Sequence, residues 1–102
     1  MVYVSGMAGI DVATNQLAGN TIEEQVRQAL HNCAAVLEAA GATIKDAVQV
    51  LVLLADPGDF AAMNAEYAKF FPVEPPARAV AKLGVEVPNL RVSVMMTAYV
   101  EE

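Results

Sequence analysis

The sequence predicts a single α+β domain in which two helices cover one face of a mixed β-sheet. Strand-like and helix-like segments alternate along the chain, two strand-like segments close it, and no segment resembles a linker or an internal repeat. At 102 residues the chain fits one domain, residues 1–102, and leaves little room for a second. A hydrophobic fraction of 56 % is rich for so short a chain and favours a well-formed core.

The first half of the chain predicts a strand followed by a long helix. Residues 2–5 are rich in the β-branched and aromatic side chains that strands prefer. Thr21 and Glu24 have the spacing of a capping box, and Gly41 is suited to end the helix that begins there. Between these signals one apolar stripe recurs at helical spacing: Ile22, Val26, Ala29, Leu30, Cys33, Val36, Leu37 and Ala40.

The second half predicts a strand, a helix and two further strands. Residues 48–54 form an apolar strand, and Asp56-Pro57 begins a helix that Pro72 ends. The buried side of this helix is expected to carry Phe60, Met63, Tyr67, Phe70 and Phe71. Residues 77–83 and 90–100 are the last two strands.

The strand at residues 48–54 predicts self-association. Its side chains are apolar on both faces, since Val48, Val50, Val52 and Leu54 point one way and Leu51 and Leu53 the other. Two helices cover only one face of such a sheet. An uncovered apolar sheet face is typical of an interface, so we expect a homo-oligomer with sheets packed face to face.

The composition excludes several classes of function. A net charge of −6 argues against nucleic acid as the main partner, because phosphate binding needs a basic patch. No apolar run is long enough to span a membrane. The first residues have no basic region before an apolar stretch, so we expect no secretory signal. One histidine and one cysteine cannot build a common zinc site, so no metal site is expected. The single cysteine favours a cytoplasmic setting.

Arg78 is the strongest candidate for binding a ligand. Strand alternation places Arg78, Val80 and Lys82 on one face and an apolar set, expected to meet the helices, on the other: Ala79, Ala81 and Leu83. A half-buried arginine needs an anion, which is either an acidic side chain or a ligand carboxylate. Neither this strand nor the final one contains an acid before Glu101, which favours an external anion.

Other polar residues give weaker indications. In the final strand a semi-polar face, suited to an interface with a pocket, carries Ser93, Met95, Thr97 and Tyr99. Asn64 falls at the edge of the second helix's apolar face, either on the surface or reaching a neighbouring loop. His31 is expected to be a solvated helix residue and Cys33 a core residue.

An ordered set of short motifs resembles the RidA/YjgF family of reactive imine and enamine deaminases, over essentially the whole chain. This family is also called the endoribonuclease L-PSP or translation initiation inhibitor family. The matching residues are Val4-Ser5-Gly6, Ile10-Asp11, residues 24–30, residues 36–41, Asp59-Phe60, Asn64, Tyr67, Phe70-Phe71 and Pro76-Ala77-Arg78.

The resemblance implies a chorismate-mutase-like fold and a homotrimer with its sites between subunits. It also implies hydrolysis of 2-imino acids such as 2-iminobutanoate and 2-iminopropanoate to 2-keto acids and ammonia, without a cofactor. Arg78 would clamp the substrate carboxylate, and either Ser93 or a backbone carbonyl would hold the attacking water. The remaining residues implied to bind the substrate are Ser5, Gly6, Val80 and Asn64.

The sequence departs from the family pattern at several of these positions. Ser93 stands where a glutamate is often found, and Lys82 where an acid is common. Met95 stands where the family has a further acid, Val80 where many relatives have cysteine, and Met7 where many have glutamine. We also expect no counterpart to the family's N-terminal segment, whose tyrosine closes over the site. A retained clamp without an acid also fits a non-catalytic trimer that binds small carboxylates. The charge makes a ribonuclease or translation inhibitor the weakest reading.

Overall fold

The computed structural model describes residues 1–101 and contains a four-stranded mixed sheet, a small hairpin and two α-helices. The strands are β1 (Val2–Ala8), β2 (Ile10–Asp11), β3 (Gln16–Leu17), β4 (Ala47–Leu54), β5 (Ala77–Lys82) and β6 (Val92–Ala98). The helices are α1 (Ile22–Ala39) and α2 (Phe60–Phe70), and single 3-10 turns precede β4 and α2. The α+β class predicted from the sequence is confirmed.

The strands of the main sheet lie in the order β1-β6-β4-β5. β6 is antiparallel to both of its neighbours, whereas β4 and β5 are parallel and are joined through α2. The parallel pair needs such a crossover because a tight turn can join only antiparallel strands. β5 is therefore an edge strand that has a helix beside it.

The helix α1 begins and ends where the sequence predicts. The Thr21 hydroxyl accepts a hydrogen bond from the Glu24 backbone N–H (3.2 Å) and donates one to the Glu24 carboxylate (2.8 Å). Just beyond the other end, Gly41 has φ +82°, a left-handed conformation that glycine adopts without steric penalty. Local signals at both ends thus fix the extent of this helix.

The core is one layer between the helices and a single face of the sheet. Its fully buried side chains include Leu30, Leu37, Val50, Val52, Leu54, Met63, Val92, Val94 and Met96. The opposite face, here called the open face, leaves Tyr3 and Met95 exposed and Leu51 and Leu53 half-buried. The prediction of a β4 strand that is apolar on both faces is therefore confirmed.

Val48 is exposed whereas Val50 is buried, although the sequence pattern places both on one face. The pairing of β4 with β6 shifts register between Ala47 and Gln49, and this irregularity leaves Val48 exposed. The final strand is also shorter than the predicted residues 90–100.

The two faces of β5 are the reverse of those predicted. Arg78, Val80 and Lys82 pair with Val50, Val52 and Leu54 of β4, all of which are buried under the helices. Neighbouring residues in register point to the same face. Arg78 therefore lies on the helix side, and Ala79 and Ala81 lie on the open face beside Leu51 and Leu53.

Candidate active site

Arg78 is held by three side chains of α2. Its Nη1 donates a hydrogen bond to Asn64 Oδ1 at 2.7 Å. Its Cζ lies 4.6 Å from the centroid of the Tyr67 ring and 5.8 Å from that of Phe60, both within the range of a cation–π contact. The guanidinium is thus fixed in orientation by one polar and two aromatic contacts.

The three contacting residues share one face of α2. Phe60, Asn64 and Tyr67 follow at intervals of four and three residues, which places them in one row along a helix. Asn64 reaches across to β5, which was neither of the two predicted roles. Sequence reasoning assigned Phe60 and Tyr67 to the core and missed their contact with Arg78, although a polar residue within an aromatic row was a usable signal.

No carboxylate neutralises Arg78 within residues 1–101. Asn64 takes up one of the five N–H donors of a guanidinium and so leaves donors for a ligand. A cavity of about 410 Å³ adjoins Arg78 and is lined by Asn64, Tyr67, Ala68, Phe71, Pro75, Pro76 and Arg78. The arrangement can accept an anion that carries two oxygens, as a carboxylate does.

The Tyr67 ring contributes as a neutral phenol. Burial raises the pKa of Tyr67, and the nearby Arg78 charge opposes that rise in part. The hydroxyl is buried and has no hydrogen-bond partner among the described residues. At neutral pH the ring therefore offers its π-face to the cation and carries no charge of its own.

Val80 and Lys82 extend the site along β5. Val80 is half-buried and packs against the core. A second cavity of about 290 Å³ is lined by Leu54, Pro57, Phe60, Val80, Ala81 and Lys82. Because Phe60 lines this cavity and also contacts Arg78, the two cavities flank one continuous seam between α2 and β5.

Ser93, Ser5 and Gly6 lie elsewhere. Ser93 pairs with Leu53 and so faces the open side of the sheet. A Cβ at Gly6 would come within 2.9 Å of the Ser93 Oγ, so the glycine leaves room for this hydroxyl. β6 is two strands away from β5, about 10 Å in a sheet. Within one chain the structure therefore does not bring Arg78 and Ser93 together.

A second polar cluster joins α1 to the segment before β6. The fully buried Gln25 donates hydrogen bonds to the Gly19 and Asn89 carbonyls (3.0 and 2.9 Å) and accepts one from the Arg91 N–H (2.8 Å). The Arg91 side chain donates to the Asn20 carbonyl at 2.6 Å and to Asp59 Oδ2 at 3.3 Å. Partners within the chain account for this cluster.

Glu66 links the two helices. Its buried carboxylate accepts hydrogen bonds from Lys69 at 2.9 Å and from Arg27 of α1 at 3.3 Å. These two bonds, that of Lys69 first, hold the pKa of Glu66 below its ordinary value. Glu66 is therefore ionised at neutral pH and serves to dock α2 against α1.

The remaining candidates are not assembled into a site. His31 is exposed and meets the Phe70 ring edge-on, as expected of a helix surface residue. Burial raises the pKa of Cys33 to about 12, so this core thiol is not a nucleophile at neutral pH. Among residues 1–101 no three His, Cys, Asp or Glu side chains converge as metal ligands, and neither helix is both long and apolar enough to cross a membrane.

The whole described fold is shared with one protein family. The family model described as Endoribonuclease L-PSP matches residues 1–100. The chain belongs to this family, which is the RidA/YjgF family predicted from the sequence motifs. RidA from the Antarctic bacterium Psychrobacter sp. PAMC 21119 is 31 % identical and superposes with a TM-score of 0.89, covering 96 % of this chain and 79 % of that one.

Relatives within the RidA/YjgF family carry different names. The RutC family protein SSO3206 of Saccharolobus solfataricus is 42 % identical over 81 % of this chain and 66 % of its own length. The 2-iminobutanoate/2-iminopropanoate deaminase of Capra hircus is also 42 % identical, over 76 % of this chain and 57 % of its own length. The matched region thus spans between about half and two thirds of these two relatives.

Proposed function

We propose that the protein is an imine deaminase that hydrolyses 2-imino acids, such as 2-iminobutanoate and 2-iminopropanoate, to 2-keto acids and ammonia. The observation that carries the proposal is the guanidinium of Arg78, oriented by Asn64 and Tyr67 and paired with no carboxylate in residues 1–101. The name of the Capra hircus relative supports the same activity.

Arg78 would bind the α-carboxylate of the substrate through two parallel N–H···O bonds. This grip fixes the position of the adjacent imine carbon. Water adds to that carbon, so that a C–O bond forms, the C=N π bond breaks, and the nitrogen takes up a proton that the water gives up. The resulting carbinolamine then breaks its C–N bond, releases ammonia and leaves a carbonyl. Positioning supplies most of the acceleration in such a scheme, because the two reactants are held together.

We propose that the site is completed between subunits of a homotrimer. Within one chain, Arg78 and Ser93 lie on opposite faces of the sheet. A neighbouring copy must therefore contribute Ser93 if the two residues are to act on one substrate. The open face favours this assembly, since Leu51, Leu53 and Met95 leave apolar surface uncovered. Ser5 and Gly6 would accompany Ser93 across the interface.

Ser93 would hold the attacking water by its hydroxyl. A neutral hydroxyl orients water but does not remove a proton from it at neutral pH. Absence of a general base lowers rates by ~10²–10⁴-fold, so we expect a slow enzyme. The reaction would take place in the cytoplasm, which the free buried thiol of Cys33 favours.

A second candidate function is a trimer that binds small carboxylates without turnover. The observation that favours it is the composition of the open face around Ser93, whose strand partners Leu53 and Ala8 and near neighbour Gly6 provide no base. A ribonuclease role is disfavoured by the net charge of −6, since RNA backbones require basic surfaces.

The test is formation of 2-oxobutyrate from 2-iminobutyrate generated in situ, above the rate in buffer. We expect Arg78→Ala to lower kcat/KM by ~10²–10³-fold, because the carboxylate loses its clamp. Lys45→Ala, an exposed lysine on the turn before β4, is the matched control and should retain the wild-type rate. Ser93→Glu should raise the rate by supplying a base.

Two outcomes would change the assignment. A wild-type rate equal to that of buffer, combined with thermal stabilisation by 2-oxobutyrate, would replace the enzyme by the binding protein. A wild-type rate in Arg78→Ala would remove Arg78 from the mechanism. Sedimentation at micromolar concentration should give a trimer, and a monomer would contradict the shared site.

A further inference from the structure

Lys82 is a second cation on the same face of the same strand as Arg78. Its partner in β4 is Leu54, a residue buried under the helices, just as Val50 is the partner of Arg78. Four residues of strand separate the two Cα atoms by ~13 Å. Both side chains therefore lie along the seam between α2 and β5.

No acid in residues 1–101 forms an ion pair with Lys82. Three of the other four cations are paired among the described residues, Arg27 and Lys69 with Glu66 and Arg91 with Asp59, and Lys45 is not. Glu86 lines a surface cavity together with Lys82, yet the two form no ion pair. Arg78 and Lys82 thus leave two positive charges uncompensated on one short stretch of edge strand.

The surface between these two charges is apolar and concave. Val80 lies between them on the strand. Phe60 lines the cavity of about 290 Å³ that Lys82 also lines, and its ring contacts Arg78. A ligand that reaches from one cation to the other would pass carbon atoms over Val80 and Phe60. The flexible stem of lysine lets its ammonium approach an anion held by Arg78, whereas the arginine plane is fixed.

We propose that the preferred ligand of this cleft is a dicarboxylate, namely a 2-imino acid whose side chain ends in a second carboxylate. Arg78 binds the α-carboxylate and Lys82 binds the distal one. This inference rests on the proposed function, since it names the substrate class of the same site. Lys82 is a specificity-determining residue in this arrangement and takes no part in the hydrolysis.

The experiment measures dissociation constants for two stable product analogues, 2-oxoglutarate and 2-oxobutyrate, by calorimetry on the full chain. The readout is the ratio of the two constants, which cancels effects common to both acids. We expect the wild type to favour 2-oxoglutarate, Lys82→Gln to reduce that preference by about 3–10-fold, and Lys82→Glu to reduce it further. The preference should also shrink as ionic strength rises, since the distal contact is exposed.

Lys45→Gln is the matched control, because Lys45 is also exposed and unpaired among the described residues but precedes β4 at the other end of the sheet. It should leave the ratio unchanged. If Lys45→Gln lowered the preference for 2-oxoglutarate as much as Lys82→Gln does, the effect would be one of general charge and the proposal would be overturned. An unchanged preference in Lys82→Gln would also overturn it.

Failure of the two proposals can be told apart. If the wild type binds and deaminates monocarboxylate substrates with no preference for the diacid, only the dicarboxylate inference falls. If the wild type neither binds a 2-oxo acid nor hydrolyses an imine, the proposed function falls, and the inference falls with it.

Discussion

Arg78 and Arg91 both lie at the boundary between sheet and helices, and they are satisfied in different ways. The Arg91 side chain donates to the Asn20 carbonyl and to Asp59, and its N–H is bound by Gln25. Arg78 has one hydrogen bond, to Asn64, and rests on aromatic rings. One arginine is neutralised by the chain, and the other is oriented but not neutralised.

The difference separates a structural cation, Arg91, from the proposed binding cation, Arg78. Arg91 pairs with an acid of its own fold, so an external anion would have to displace Asp59. Arg78 offers a fixed, charged group whose desolvation is compensated by π-contacts rather than by a counter-ion. In such a small domain, a candidate ligand site is therefore indicated by a cation that has no acidic partner, as well as by the position of that cation in the fold.

The largest expected effect tests this distinction directly. Arg78→Lys should weaken 2-oxobutyrate binding by about 100-fold, because lysine lacks the planar fork and the stacking on Tyr67. Its thermal stability should stay near that of the wild type. Arg91→Lys should do the reverse, with lower stability and unchanged affinity of the folded protein. Calorimetry measures the affinity of both variants for 2-oxobutyrate, and thermal melts measure their stability. Equal affinities in the two variants would contradict the distinction between Arg78 and Arg91.

Gln25→Leu should give the next largest effect, on stability alone. The change leaves the Gly19 and Asn89 carbonyls and the Arg91 N–H without their partner. Unpaired buried groups cost ~1–3 kcal/mol each, partly relieved by water, so we expect a loss of about 2–4 kcal/mol. Urea denaturation measures it. Gln28→Leu, which removes only an intrahelical bond to Asn32, should lose less than ~1 kcal/mol.

Glu66→Gln should remove a smaller and pH-dependent contribution. Because hydrogen bonds from Lys69 and Arg27 lower the folded pKa of Glu66, its stabilisation is present above the unfolded pKa and is lost as pH falls through the folded pKa. We expect a loss of about 1–2 kcal/mol at pH 7 that shrinks in acid. Denaturation curves at pH 7 and pH 3 measure it. A loss that is the same at both pH values would show that packing, not charge, was responsible.

Tyr67→Phe should have the smallest effect, because the hydroxyl makes no hydrogen bond in the described structure. Stability should change by less than ~1 kcal/mol, and the aromatic face under Arg78 remains. Affinity for 2-oxobutyrate should stay within about twofold of the wild type. Tyr67→Leu removes the ring and should loosen Arg78. If Tyr67→Phe abolished binding, the hydroxyl rather than the ring would be the contact that matters.

Features written into short stretches of sequence were predicted well. Thr21, Glu24 and Gly41 defined α1, and the alternation along β6 placed Ser93 on the face opposite the core. Capping and alternation depend on residues a few positions apart, so they can be read without knowing the rest of the fold. The order of strand-like and helix-like segments likewise predicted the α+β fold, which the structure confirms.

Features that depend on pairing between distant strands were not predicted. Alternation in β5 gave two sets of residues but not which set faces the helices, and the purely apolar set Ala79 and Ala81 was wrongly given that place. The register with β4 decides the matter, since Arg78 sits beside Val50. A long side chain on an edge strand can cover Tyr67 and still reach solvent with its charge. The role of Gln25 was missed because its partners are up to 66 residues away.

The central place of β6 in the sheet has a consequence for how the chain folds. Residue 2 pairs with residue 98, and β4 also needs β6 as its neighbour. During synthesis the helices can form early, but β1 and β4 must wait for residues 92–98 before either finds this partner. Such long-range pairing slows folding, typically to milliseconds or longer. Until then the nascent chain exposes β4, which is apolar on both faces, and it depends on β6 to protect that segment from aggregation.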